Sequence, residues 1–106
     1  MATELPNAFS GLRDEYPEVA SAYDALANAA RQAGPLTERE SQLVKLALAV
    51  GAGLEGATHS HTRRGIEQGI EPAALDHVAL LAITTLGFPA AVRGLTWIHD
   101  VTDAKS

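Results

Sequence analysis

The chain has 106 residues, which is enough for one domain spanning residues 1–106 and too few for two. Its net charge of −5, with no basic run, argues against a nucleic-acid partner, because such a binder needs a basic face. The absence of cysteine excludes disulfides, thiolate nucleophiles and thiolate metal sites. The N-terminal residues lack the pattern of a signal peptide, and no apolar run reaches the ~18 residues of a membrane span. We therefore expect a soluble, cytoplasmic protein without a membrane partner.

Three helices are predicted in the first half of the chain. A short helix over residues 6–14 precedes a second helix that begins at Pro17 and ends at Gly34-Pro35, because proline is favoured in a first turn. The second helix carries an apolar stripe at helical spacing, formed by Val19, Tyr23, Leu26, Ala27 and Ala30.

The third helix is predicted to begin at Thr37, because Thr37 and Glu40 have the spacing of a capping box. Gly51 and Gly53 are expected to loosen or end it. Its buried face is predicted to contain Leu43, Val44, Leu46, Ala47 and Val50.

Three more helices are predicted in the second half, over residues 55–68, from Glu71-Pro72 to Gly87, and from Pro89 onwards. The buried side of the middle helix is predicted to contain Leu75, Val78, Ala79, Ala82, Ile83 and Leu86, with Leu81 able to widen it. The last helix is predicted to bury Val92, Leu95, Ile98 and Val101. No segment alternates with the period of a strand. The sequence therefore predicts an all-α bundle of about six helices.

Several motifs follow one another in a fixed order along residues 36–101. A Leu-Val-x-Leu-Ala run at residues 43–47 precedes an HxxxGxxxG motif formed by His61, Gly65 and Gly69. Glu71-Pro72 and then Gly-Phe-Pro-Ala-Ala at residues 87–91 follow. This ordered set resembles the carboxymuconolactone decarboxylase/AhpD-like family, and the resemblance implies a homo-oligomer, either a homotrimer or a homohexamer. Helices that are apolar over more than one stripe also leave surface for a neighbouring copy to cover.

The AhpD branch of that family uses a Cys-x-x-Cys pair, a histidine four residues later and an acid on the preceding helix. Counting back from His61 places the two thiol positions at Leu54 and Ala57, and the acid position falls on Gln42. A dithiol peroxidase is therefore excluded. Resemblance to the decarboxylase branch implies instead a lyase that acts on a small anionic lactone or related acid, and we expect no cofactor.

His61 and Gln42 are the predicted catalytic residues. Histidine titrates near neutral pH, so His61 is the candidate proton donor or acceptor; its structural alternative is a histidine that bonds a carbonyl or lies at an oligomer interface. The Gln42 amide could bind a substrate carboxylate or orient His61, or it could be buried and satisfied by the backbone. Glu40 is interpreted as a helix cap, and Glu38 is the fallback acid.

Arg93 and His59 are the predicted substrate-binding residues. Arg93 could pair with an anionic substrate, and its alternative is a surface salt bridge. Glu55 and His59 share a helix face at i and i+4 and, with His61 or another third group, could hold a metal ion. An exposed pair is the commoner outcome, and on a regular helix His59 and His61 face different ways, so no metal site is expected.

Two functional hypotheses remain. The first is a lyase centred on His61. The second is a non-catalytic oligomeric binding or scaffold domain, favoured because Leu54, Ala57 and Gln42 replace three reactive residues and suggest a site that has been filled.

Overall fold

The computed structural model describes residues 7–103, and the side chains of residues 10–103. Within this range it contains seven helical segments and no strand: α1 (Asn7–Glu15), α2 (Pro17–Gln32), α3 (Glu38–Ala52), α4 (Glu55–Glu67), α5 (Pro72–Leu81), α6 (Ile83–Leu86) and α7 (Phe88–Thr102). The predicted all-α class is confirmed. The number of helices also agrees with the prediction, since α6 is a single turn that follows α5 after Ala82. No helix between residues 7 and 103 has both the length and the apolar character to cross a membrane.

The described chain divides into two compact units, one ending at Pro35 and the other beginning at Leu36. In the first unit α1 packs against α2, and Arg13 donates two hydrogen bonds of 2.9 Å to the Asp24 carboxylate. Helix α2 begins at Pro17, as predicted, whereas residue 6 of the first predicted helix lies outside the described residues. The predicted apolar stripe of α2 is largely exposed to solvent, at Val19, Tyr23 and Leu26.

The second unit contains α3 to α7, and local signals fix where several of these helices begin and end. The Thr37 side chain accepts from the Glu40 amide at 3.0 Å, and the Glu40 carboxylate accepts from the Thr37 amide at 2.9 Å, so the predicted capping box is present. Helix α3 continues through Gly51 and ends at Gly53, whose φ of +70° suits glycine because it has no Cβ. Gly69, at φ +87°, follows α4 in the same way.

The core of this unit lies where α3, α4, α5 and α7 meet. Its fully or nearly fully buried members are Leu46, Val50, Ile70, Leu75, Ala79 and Ile98. Ile70 was not among the predicted core residues; it lies in the connection between α4 and α5. Helices α3 and α7 approach closely at Gly94, where a Cβ would lie only 2.7 Å from Val50 Cγ1.

Several predicted core positions are wrong. Val44 and Ala47 face outward on α3, and Ala49 and Gln42 are buried instead. Helix α5 ends at Leu81 rather than running to Gly87, so residues 83–86 form a separate turn whose last residue, Leu86, is exposed. Leu81 and Val92 are exposed as well. The spacing of apolar residues correctly predicted helices. It could not show which apolar face of a helix is buried in the core and which is left exposed.

Candidate functional site

Helix α4 carries polar side chains on both flanks of its buried face, which consists of Thr58, Thr62 and Gly65. One flank faces α3 and carries His61, with Gln68 following as the C-cap residue of the helix. The other faces α7 and carries Glu55 and His59. Residues i and i+2 lie about 200° apart on a regular helix, so His61 and His59 face different neighbours. Of the predicted site residues, the structure therefore brings His61 and Gln42 together and places His59 elsewhere.

Gln42 of α3 is 6% exposed and is the centre of a hydrogen-bond network with α4. Its Nε2 donates to Nδ1 of His61 at 2.9 Å and to the carbonyl oxygen of His61 at 3.2 Å. Its Oε1 accepts from Nε2 of Gln68 at 3.3 Å. Gly65 lies beside this network, and a Cβ there would lie 3.1 Å from Leu75 Cδ2 and at an ordinary contact distance of 3.9 Å from Gln42 Cγ. Gln42 therefore bonds both the ring and the backbone carbonyl of His61.

These contacts determine which nitrogen of His61 carries the proton. A carbonyl oxygen can only accept, so the Gln42 atom beside the His61 carbonyl must be the amide nitrogen. That nitrogen then donates its other hydrogen to Nδ1, which must present a lone pair. The proton of a neutral His61 ring is therefore on Nε2.

Nε2 of His61 is available to another molecule. It has no hydrogen-bond partner among the described residues, and no buried side-chain nitrogen or oxygen in this part of the chain lacks a partner. Nε2 therefore reaches solvent. The site presents a neutral N–H donor that is held in place by Gln42.

Burial lowers the pKa of His61 from 6.5 to about 4, and the positive charges of Lys45 and Arg64 contribute to the same shift. The hydrogen bonds agree with this direction, because a protonated ring would turn a second N–H towards the Gln42 amide hydrogen. At neutral pH the ring is therefore uncharged.

Lys45 and Arg64 are functional candidates that the sequence analysis missed. Both act electrostatically on His61, and neither forms an ion pair among residues 10–103. Each lies three residues from a site residue, Lys45 from Gln42 on α3 and Arg64 from His61 on α4, which is one helical turn. That spacing is a sequence signal that could have identified them.

Arg93 lies at a different place from His61. Its guanidinium is 5.2 Å from the centroid of the Trp97 ring, and it lies over Gly53, just before α4 begins. His61 is six residues into α4 from Glu55, about 9 Å along the axis. The surface salt bridge expected for Arg93 is absent from the described residues, and a cation–π contact takes its place.

The two positions that correspond to thiols do not form a filled core. Leu54 is the N-cap residue of α4 and is 53% exposed, while Ala57 is partly buried. Glu40 is the cap that was predicted, and the fallback acid Glu38 is exposed in the first turn of α3. The expectation that apolar residues fill the site is therefore wrong for Leu54.

Comparison with protein families identifies the family of the chain. The model of the carboxymuconolactone decarboxylase family matches residues 17–100, a range that contains α2 to α6 and most of α7. Searches of curated proteins and of solved structures returned no match. The match includes the whole Gln42–His61–Gln68 network and covers most of the chain. The chain therefore belongs to the carboxymuconolactone decarboxylase family, as a member without cysteine.

Proposed function

We propose that this protein binds a small anionic organic acid at His61 and acts on it as a lyase of the carboxymuconolactone decarboxylase type. The observation that carries the proposal is the Gln42–His61 network, which aims a neutral Nε2–H donor at solvent beside unpaired cations. Lys45 and Arg64 supply the positive charge that a carboxylate substrate needs.

His61 would act on the charge that develops during the reaction. Loss of CO₂ from a carboxylate breaks a C–C bond and leaves its electron pair on carbon, from which a conjugated lactone carbonyl delocalises the charge onto its oxygen before the carbon takes up a proton. A preorganised N–H donor stabilises the charge on that oxygen. A neutral imidazole with its proton on Nε2 is suited to this role. Gln42 uses both amide hydrogens on His61, which supports a positioning role rather than direct contact with substrate.

Turnover of 4-carboxymuconolactone, followed by ultraviolet absorbance, tests the proposal. We expect His61→Ala to lower kcat by about a hundredfold or more, as for the loss of other oxyanion donors. Lys45→Gln should raise KM, because it removes charge from the substrate site. Arg93→Gln is the matched control, since Arg93 is a cation beside Gly53 and Trp97, and it should leave KM unchanged.

Full turnover by a folded His61→Ala variant would contradict the proposal. An increase in KM with Arg93→Gln and not with Lys45→Gln would instead place the substrate carboxylate at the start of α4. The KM of His59→Gln in the same assay tests whether His59, the other predicted substrate-binding residue, contacts the substrate.

The second candidate function is a non-catalytic binding domain of the same family. One argument for it is the low pKa of His61, because a ring that stays neutral at neutral pH is a poor proton donor. The other is that apolar residues occupy both thiol positions. Binding without turnover would distinguish it: the acid would shift the His61 ring resonances in an NMR titration while its absorbance stayed constant.

A further inference from the structure

Three potential metal ligands lie together on the flank of α4 that faces α7. Glu55 and His59 come from successive turns of α4, and Asp100 comes from α7, which packs against it. One ligand atom from each of the three residues lies within 4.8 Å of the other two. His59 Nε2 is already 3.0 Å from Asp100 Oδ2. Asp100 thus takes the place that the sequence analysis gave to His61.

Apart from the His59–Asp100 contact, the carboxylates of this cluster have no charged partner among the described residues. Neither Glu55 nor Asp100 pairs with a lysine or arginine among the described residues, and Glu55 has no hydrogen-bond partner there. Two carboxylates and one imidazole therefore lie within 4.8 Å of one another without a lysine or arginine beside them. Ligands about 2.0–2.2 Å from a zinc ion lie roughly 3–4 Å apart, so small side-chain rotations would bring all three into place.

We propose that Glu55, His59 and Asp100 bind one divalent transition-metal ion of the Zn²⁺ type, with water completing the coordination. The imidazole nitrogen favours such an ion over Mg²⁺ or Ca²⁺, which prefer oxygen ligands alone. All three residues stand on packed helices, so the ion joins α4 to α7. This site is independent of the His61 network.

Calorimetric titration of the untagged, chelator-treated full chain with ZnCl₂ tests the site. We expect one Zn²⁺ per chain and loss of binding in His59→Gln, Asp100→Asn and Glu55→Gln. Glu55→Gln should fold like the wild type, because this exposed carboxylate has no hydrogen-bond partner among the described residues. Loss of binding in this variant therefore cannot be attributed to misfolding. Zn²⁺ should also raise the Tm of the wild type, since it binds the folded chain.

The chain offers a matched control. His99 Nε2 lies 3.1 Å from Asp76 Oδ1, a pair that joins α7 to α5 without a third ligand in the described structure. His99→Gln should therefore leave Zn²⁺ binding unchanged. Failure of the wild type to take up Zn²⁺, equal binding by Glu55→Gln, or loss of binding in His99→Gln would each overturn the proposal.

Discussion

A single buried amide decides what His61 can do. In a histidine that exchanges protons, one would expect a carboxylate beside Nδ1, since this favours the protonated ring. Gln42 instead donates to Nδ1, and the His61 carbonyl and Gln68 fix the orientation of its amide. His61 is therefore held as a neutral N–H donor.

The pKa of His61 predicts how stability depends on pH. In the unfolded chain His61 takes up a proton near pH 6.5, whereas in the folded chain it does so only near pH 4. Between these values the unfolded state binds more protons, so the free energy of unfolding should fall as the pH is lowered from 6.5 to 4. Allowing for solvent around a partly exposed ring, we expect a loss of about 1–2 kcal/mol.

Urea denaturation at several pH values, with His61→Gln beside the wild type, measures this contribution. The variant should lack that part of the pH dependence which lies between the two pKa values. Equal slopes for both proteins would show that His61 titrates normally. An NMR titration of the ring gives its pKa directly and identifies the protonated nitrogen.

At the scale of elements, the packing of the second unit depends on close helix crossings. Gly94 of α7 lies against Val50 of α3, and Gly65 of α4 lies against Leu75 and Gln42. The absence of a side chain lets Val50 of α3 approach α7 at Gly94 and lets Leu75 of α5 approach α4 at Gly65. The same crossings align α4 between α3 and α7, which separates its two polar flanks.

We expect Gly94→Ala to destabilise the fold by about 1–3 kcal/mol, because the added Cβ would lie 2.7 Å from Val50 Cγ1 in a fully packed core. Gly56→Ala is the control: no atom lies within 4 Å of its Cβ position, and alanine is the better helix former. Thermal unfolding followed by circular dichroism compares the two. A Gly94→Ala variant as stable as Gly56→Ala would mean that α3 and α7 can move apart at little cost.

At the scale of the whole molecule, the second unit leaves large apolar side chains uncovered. Leu48 is 67% exposed, Leu81 61% and Phe88 64%. Leu81 was predicted to widen the buried side of α5, whereas Leu48 and Phe88 were not among the predicted core positions. A second apolar face of this kind is commonly covered by another copy of the chain.

We therefore predict a homo-oligomer, a trimer or hexamer, in sedimentation equilibrium. Phe88→Glu should shift the mass towards the monomer, because a charge would be buried at the contact. Thr84→Glu, at an exposed polar residue of α6, is the control and should leave the mass unchanged. A wild-type chain that sediments as a monomer at micromolar concentration would contradict the prediction.

The sequence by itself determined the features that depend on neighbours along the chain. The Thr37 cap, Pro17 at the start of α2 and Gly53 at the end of α3 are local signals, and they predicted where helices begin and end. Ordered motifs around His61 identified the family. Absence of cysteine excluded thiol chemistry without any structure.

The tertiary structure decided which residues meet. Gln68 joins Gln42 across 26 residues, and Asp100 joins His59 across 41, so no local period reveals either contact. Periodicity also could not show that α5 ends before Ala82 or that Ile70 is buried. Helix packing sets these contacts, because it selects which apolar faces are covered and which polar flanks come together.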